Sequence, residues 1–255
     1  MRRSLRILLP LALVGAVAAV LLLRDAAPEA VDLTAPATSA ADATAGDAAA
    51  APADGADAVA PADATEAGDA VVADPSGVWT VRTDLVPFDG DAGTGSWVGY
   101  RIDEELASVG AFTAVGRTPD VTGTVTVAGS EVLEARIGAD LATLRSDSGS
   151  RDGQVRRVLG DRPAVFELDG PLAFDGVPAP GASVLVEAPG RLRIGEVEGP
   201  VVMMLAASLD GDVLVLRGTT DVVLADFDVA VPRAAIVLSV SDVATVELQL
   251  LLTRD

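Results

Sequence analysis

The side chains best able to bind or react are concentrated in one charged segment, residues 144–166. This segment holds five arginines among three aspartates: Arg145, Arg151, Arg156, Arg157 and Arg162, with Asp147, Asp152 and Asp161. Arginine matches phosphate oxygens with a planar fork of donors, so the segment is a candidate anion-binding element. The alternative is that these arginines pair with neighbouring aspartates at the surface, where each pair contributes little to stability. Both interpretations stay open.

The chain lacks the residue types on which most catalytic sites depend. It contains no Cys, His or Lys, and all 18 basic residues are Arg. Ser-His-Asp triads, Ser-Lys dyads and Schiff-base lysines are therefore excluded. The usual ligands of zinc, copper, haem iron and iron–sulfur clusters are missing as well. Carboxylates remain, and no sequence feature selects two of them as a catalytic pair. We predict a protein that is not an enzyme and has no cofactor.

Three Asp-x-Asp motifs raise the question of a calcium site: Asp89-Gly90-Asp91, Asp210-Gly211-Asp212 and Asp226-Phe227-Asp228. None continues into the twelve-residue ligand spacing of an EF-hand. Turn formation explains the first two motifs, and the second is typical of a β-hairpin. No metal site is predicted.

Net charge excludes one class of partner. The formal charge is -20 and the pI is about 4.1. Binding to nucleic acid requires a basic surface, so no nucleic-acid partner is predicted. Without Cys there are no disulfides, and the folded part must be held together by its core.

The elements that position these residues fall into three segments. Residues 1–24 begin with Arg2, Arg3 and Arg6, followed by an apolar run over residues 7–23. This run is typical of a transmembrane signal anchor, and a cleaved signal peptide is the alternative. Either way, the basic end stays in the cytoplasm and the rest of the chain becomes extracytoplasmic, secreted if the segment is cleaved.

Residues 25–75 have the composition of a spacer. They are rich in Ala, Asp and Pro, with 11 acidic residues and no basic one. Such a segment cannot bury enough apolar surface to offset its ordering entropy, so we predict a disordered linker.

Residues 76–255 alternate between apolar and polar side chains with a period of two. In residues 243–253, for example, Val246, Leu248, Leu250 and Leu252 alternate with Glu247 and Gln249. Eight or nine such segments are joined by short turns rich in Gly and Asp, which predicts an all-β fold, an antiparallel β-barrel of about eight strands. A barrel of this size can hold one small ligand. The charged segment supplies one short helix, with Ser148 or Ser150 as its N-cap and Val155, Val158 and Leu159 facing the barrel.

Several motifs of this domain resemble the YceI-like, polyisoprenoid-binding family. These are Trp79-Thr80-Val81; Val98, Tyr100 and Ile102 of the second strand; Arg151-Asp152 with Arg162-Pro163-Ala164-Val165-Phe166; Gly190-Arg191-Leu192-Arg193-Ile194; and Asp226-Phe227 with Pro232. The resemblance implies a lipocalin-like, extended antiparallel barrel with an apolar tunnel for a long isoprenoid chain and polar groups at its mouth. Family members often carry a His where this chain has Asp103 and Gly153, so no head-group contact through imidazole is expected here.

Together these patterns predict a membrane-anchored lipid-binding protein that holds a polyisoprenoid or similar apolar chain inside the barrel. The alternative is a structural or protein-interaction module whose barrel is filled by its own side chains. The candidate tunnel-lining residues are Val98, Tyr100, Leu133, Ile137, Leu141, Phe166, Leu192, Ile194, Met204 and Leu248. The candidate head-group residues at the mouth are Arg145, Arg151 and Asp152.

Overall fold

The computed structural model of the chain describes residues 27–34, 74–107, 109–179, 182–231 and 237–254. The described residues form one antiparallel sheet and a helix, α1 (Gly149–Leu159). The strands are β1 Gly77–Arg82, β2 Trp97–Leu106, β3 Gly110–Thr118, β4 Val121–Ala128, β5 Glu131–Asp140, β6 Arg145–Ser146, β7 Pro163–Leu168, β8 Leu172–Ala173, β9 Val184–Ile194, β10 Val197–Asp210, β11 Val213–Val223, β12 Val237–Val240 and β13 Val243–Arg254.

Eight of these strands close into a barrel. Their order around the ring is β1-β4-β5-β7-β9-β10-β11-β13, and β13 pairs again with β1. Every neighbouring pair is antiparallel. The predicted all-β barrel of about eight strands with one short helix is therefore confirmed.

Strand β13 pairs with β11 along one edge and with two strands in turn, β2 and β1, along the other. Its second half, Leu251–Arg254, pairs with β1, whereas residues 245–249 pair with β2. Strands β2, β3 and β6 thus extend the sheet beyond the ring at one end of the barrel. Ser96, just before β2, links β1 to β13, since its hydroxyl donates to the Arg82 carbonyl at 2.6 Å and accepts from the Leu251 N–H at 2.9 Å.

The period-two alternation places the core inside the ring. Trp79, Leu250 and Leu252 are almost completely buried there, with Leu248 and Met203 beside them. Burying each such side chain contributes about 1.5–3 kcal/mol, which is the main stabilising term for a chain without disulfides.

Helix α1 begins after Ser148, whose side chain makes no capping hydrogen bond. Ser148 thus stands at the predicted N-cap position, although its side chain bonds no helix N–H. Asp152 instead reaches back to β6, where its Oδ1 accepts from the Ser146 N–H at 2.8 Å and from the Ser146 hydroxyl at 2.6 Å. Gly160 ends the helix with φ 62°, because glycine adopts a positive φ without a Cβ clash. The helix lies across one end of the barrel.

One part of the predicted linker is packed rather than disordered. Residues 27–34, which we call the strap, lie on the outer face of β13 and β2. The Val31 N–H donates to Glu247 Oε1 at 3.2 Å, and Arg101 Nη1 donates to the Pro28 carbonyl at 2.7 Å. Val31 and Leu33 pack in a small apolar cluster: Val31, Leu33, Phe88, Ala92 and Trp97. The prediction of disorder is wrong for these residues, and residues 25–26 and 35–73 of the linker lie outside the described part of the chain.

Two polar residues on the outer face of β13 are buried. The strap bonds the first, Glu247, whereas the second, Gln249, bonds Arg217 and the Gly95 carbonyl. Glu247 and Gln249 are each only 1% exposed. Arg117 crosses the same region, with its guanidinium 4.4 Å from the Trp97 ring centroid and its Nη1 donating to the Gly90 carbonyl at 2.8 Å. Burial raises the pKa of Glu247, and the hydrogen bond from Val31 and the charges of Arg101 and Arg117 offset this in part.

The Asp-containing turns behave as the sequence predicts. Asp89 Oδ1 accepts from the Asp91 N–H at 2.9 Å, and Gly211 has φ 57° between the paired residues Asp210 and Val213 of the β10–β11 hairpin. The predicted signal anchor, residues 7–23, lies outside the described residues. Among those that are described, no helix is long and apolar enough to cross a membrane.

Candidate functional site

The barrel encloses an apolar cavity of about 280 Å³. Its walls come from the inward faces of strands β2, β5, β7, β9, β10, β11 and β13, and helix α1 covers one end. The apolar side chains that α1 contributes are those of the predicted stripe, Val155, Val158 and Leu159. An eight-stranded barrel can be filled completely by its own side chains. This one is not, so the filled-barrel alternative does not match the observed interior.

Most of the residues predicted to line a tunnel do line this cavity. They are Val98, Tyr100, Ile137, Leu141, Phe166, Leu192, Ile194 and Leu248. They come from five different strands and the turn after β5, and only the tertiary fold brings them together. Whether they contact a ligand remains a prediction.

Leu133 does not line the cavity, and the prediction that it faces inward is wrong. Its side chain is 37% exposed. The register between β4 and β5 shifts by one residue here, because Thr126 pairs with Glu134 while Val127 pairs with Val132. Leu133 is the extra residue of a β-bulge, so the alternation reverses at this point. Val132 packs against the core instead.

Met204 was also predicted to face inward and does not, being 37% exposed. Its neighbour Met203 is 2% exposed and lines the cavity. Adjacent residues of a strand point to opposite faces of the sheet. An error of one residue along β10 therefore selects the exposed Met204 in place of the buried Met203.

Glu104 is a cavity residue that the sequence reasoning did not identify. It lines the cavity near α1. The signal was present, because Val98, Tyr100 and Ile102 share a face of β2 and the same parity leads to Glu104 and Leu106. Burial raises the pKa of Glu104, and the nearby charge of Arg151 opposes this in part.

Polar side chains line the cavity mainly at the α1 end, which we call the mouth. They are Glu104, Ser148, Ser150, Arg151 and Gln154. Arg151 Nη2 lies 4.0 Å from Glu104 Oε2, and the Arg151 guanidinium stacks 5.0 Å from the Phe112 ring centroid. Its Nη1 also donates to Asp147 Oδ1. Arg151 thus lies between two carboxylates.

Of the three candidate head-group residues, only Arg151 lines the mouth. Arg145 is exposed on β6, and its Nη1 donates to the Leu144 carbonyl at 2.9 Å. Asp152 is occupied by its hydrogen bonds to Ser146 and holds α1 against β6. The prediction that Arg145 and Asp152 lie at the mouth is therefore wrong. The aspartate-pairing interpretation fits Arg151, which bonds Asp147.

Tyr100 reaches into the cavity below the mouth. A Cβ added at Gly116 would lie 2.5 Å from Tyr100 Cε1, so the ring lies directly over that glycine on β3. Burial raises the pKa of Tyr100 to about 12. The phenol is therefore neutral over the physiological range and can donate a hydrogen bond to a polar group above it.

A second, smaller cavity of about 110 Å³ lies toward the other end of the barrel. Its lining is apolar except for Ser208 and includes Trp79, Phe174 and Leu216. Phe166 is the one described residue that lines both cavities.

The described residues contain no group of three or more acidic side chains placed to hold a metal ion. The arrangement consists of an apolar chamber with a polar rim, which suits the binding of an elongated apolar molecule with one polar end.

A search of solved structures finds the same fold in a polyisoprenoid-binding domain from Saccharophagus degradans that is implicated in plant cell wall breakdown. The two proteins share 15% sequence identity with a TM-score of 0.51, and the match covers 71% of this chain and 99% of that domain. BcnA from Burkholderia cenocepacia matches at 17% identity and a TM-score of 0.46, over 61% of this chain and 95% of BcnA.

The first of these matches supports the fold implied by the YceI-like resemblance. A scan against protein families matches none. No curated protein matches the sequence either.

Proposed function

We propose that this chain is a non-catalytic binding protein that holds one apolar lipid, of the polyisoprenoid class, inside its barrel. The observation that carries the proposal is the apolar cavity of about 280 Å³ with its polar groups at the α1 end. Transfer of an apolar chain into such a cavity contributes about 0.8 kcal/mol per buried methylene, so binding needs no covalent chemistry.

The choice of an isoprenoid follows from the cavity walls and the fold. The lining is dominated by branched aliphatic side chains, with Tyr100 and Phe166 as its aromatic residues among those described. The structurally similar domain from Saccharophagus degradans is described as polyisoprenoid-binding. The motifs that resemble the YceI-like family favour the same ligand class.

The mouth favours an uncharged head group. Glu104 and Asp147 flank Arg151, so the three side chains together carry a net negative charge when ionised. A phosphate would have to compete with Asp147 for Arg151 and would be repelled by both carboxylates. An alcohol could instead bond Ser148, Ser150 or Gln154, which also line the mouth.

The location of the protein is part of the proposal. The basic residues Arg2, Arg3 and Arg6 ahead of the apolar run at 7–23 support a cytoplasmic N-terminus, a single membrane span and an extracytoplasmic barrel. Membrane fractionation combined with protease accessibility in intact cells tests this. A barrel that is protected from external protease but degraded after lysis would contradict it.

The ligand is tested by purifying the membrane-extracted chain and identifying co-purified lipids by mass spectrometry. We expect an isoprenoid alcohol in the wild type and its loss in Ala244→Phe, because Ala244 is 4% exposed and its side chain faces the cavity. Ala128→Phe, at an exposed end of β4, is the matched control and should retain the lipid. Circular dichroism verifies that both variants fold. Equal lipid content in the two variants would refute binding inside the barrel.

The head group is tested by comparing a polyprenol with its phosphate ester. We expect the alcohol to bind the wild type more tightly than the phosphate, and to remain the preferred ligand in Arg151→Ala, where both carboxylates lose their arginine partner. Tighter binding of the phosphate, lost specifically in Arg151→Ala, would show that Arg151 is an anion receptor and that the proposed alcohol preference is wrong.

A further inference from the structure

The two cavities follow one another along the barrel axis. On β7, Ala164 lines the larger cavity, Leu168 lines the smaller one, and Phe166 between them lines both. On β9 the order is the same, with Leu192 in the larger cavity and Ala188 in the smaller. Inward residues alternate every second position along a strand, so the change from one cavity to the other occurs at one level of the barrel.

Phe166 occupies that level. Its side chain is 7% exposed and belongs to the central core cluster together with Ile137, Ala188, Met203 and Leu248. The ring packs directly against β9 at Gly190, since a Cβ added there would be 2.5 Å from Phe166 Cε2 and 2.6 Å from Cζ. Gly190 therefore makes room for the ring, and the pair together forms the partition between the cavities.

We propose that Phe166 is the chain-length stop of the binding site, fixed in place by the absence of a side chain at Gly190. This inference rests on the proposed lipid-binding function. A ligand whose polar end stays at the mouth would extend its apolar end through the larger cavity and stop at the ring. The smaller cavity stays out of reach while the ring is present.

The cavity volumes determine how many isoprene units fit with and without the Phe166 ring. A cavity of about 150 Å³ accepts a benzene molecule, so a cavity twice that size holds on the order of ten carbon atoms, or two isoprene units. The smaller cavity, by the same scaling, holds about four more carbons. Removal of the ring would join the two volumes and add the space of the ring itself, so that about two further isoprene units fit.

The test uses geraniol, farnesol and geranylgeraniol, which carry two, three and four isoprene units, in competition with a fluorescent lipid probe. In the wild type we expect the affinity for the alcohol to stop rising with chain length, because isoprene units beyond the first two remain outside the larger cavity. In Phe166→Ala we expect geranylgeraniol to bind at least about tenfold more tightly than it binds the wild type, since each newly buried methylene contributes about 0.8 kcal/mol.

Phe174→Ala is the matched control, because Phe174 lines the smaller cavity alone. It removes the same ring without opening the partition, so its dependence on chain length should follow the wild type. Phe166→Leu preserves more of the core, and we expect a gain of at least about threefold for geranylgeraniol. This variant decides the question if Phe166→Ala does not fold.

Two results would overturn the inference. An unchanged plateau in the folded Phe166 variants, or an equal shift in Phe174→Ala, would show that Phe166 does not limit chain length while leaving lipid binding intact. Absence of binding for all three alcohols in the wild type and in every variant would refute the proposed function itself, and the chain-length stop with it.

Discussion

Val31 offers a direct test of how firmly the strap is held against the barrel. The residue is 8% exposed, packs beside Trp97 and Phe88, and donates its N–H to Glu247. Val31→Ala removes two methyl groups from this cluster while leaving the backbone hydrogen bond in place. At about 0.8 kcal/mol per buried carbon, we expect the strap to lose about 1.5 kcal/mol of its docking free energy.

The strap contributes no strand to the barrel, so the loss should appear as local opening rather than global unfolding. Hydrogen exchange measured by mass spectrometry over residues 27–34 reports this opening. A loss of about 1.5 kcal/mol corresponds to exchange that is about tenfold faster. Peptides from β9 and β10, on another part of the ring, should exchange at the wild-type rate.

Val231→Ala is the matched control for this experiment. Val231 is also outside the strands but is 37% exposed, so its truncation should change stability by less than about 0.5 kcal/mol. The reasoning would be refuted if the two variants exchanged alike at residues 27–34. Wild-type exchange over those residues at the rate of an unprotected peptide would refute the docked strap directly.

Four further predictions concern single residues. Gly190→Ala should lower the free energy of unfolding by about 2–4 kcal/mol, because its Cβ would approach the carbonyl oxygen of Glu167 to 2.5 Å. Gly153→Ala in α1 has open space around it and should raise the free energy of unfolding by about 0.5–1 kcal/mol. Urea unfolding measures both. Tyr100 is the single tyrosine of the chain, so absorbance titration should show phenol ionisation near pH 12; a midpoint near 10 would contradict its burial. Burial raises the pKa of Glu104, so the wild type loses stability as the pH rises through the folded-state pKa. Glu104→Gln should therefore be more stable than the wild type at pH 7. The difference should vanish below about pH 4.5, where the carboxyl is protonated in both the folded and the unfolded states. If the extra stability of Glu104→Gln grew toward low pH instead, the pKa of Glu104 would be lowered by folding rather than raised.

The local pattern of the sequence was sufficient to predict the barrel and most of its interior. Apolar residues at every second position place Leu248 and Leu250 inside regardless of which strand pairs with which. The helix could be predicted equally well, since Val155, Val158 and Leu159 lie on one face at helical spacing and do cover the cavity. Leu133 shows the limit of this reasoning, because a β-bulge reverses the alternation and depends on the register of two strands.

The polar residues were harder to place than the apolar ones. Asp152 and Arg151 are neighbours in sequence, but one holds α1 against β6 and the other lines the mouth. A carboxylate or guanidinium can serve either role, and its choice depends on which partners the fold brings within hydrogen-bonding distance. The acidic composition of residues 25–75 likewise predicts disorder, yet eight of them find an apolar cluster on the barrel and pack there.

By itself, the sequence determined the fold class, the inward face of most strands and the absence of His, Lys and Cys chemistry, because each of these depends on residue type and local period. The closure of the ring, the empty volume inside it and the partition by Phe166 were decided by tertiary structure. Those features depend on how far apart non-adjacent strands lie and on the volume left between their side chains. The five arginines of the charged segment illustrate the difference: their number is plain in the sequence, but only the fold shows that Arg151 alone among them lines the cavity, between Glu104 and Asp147.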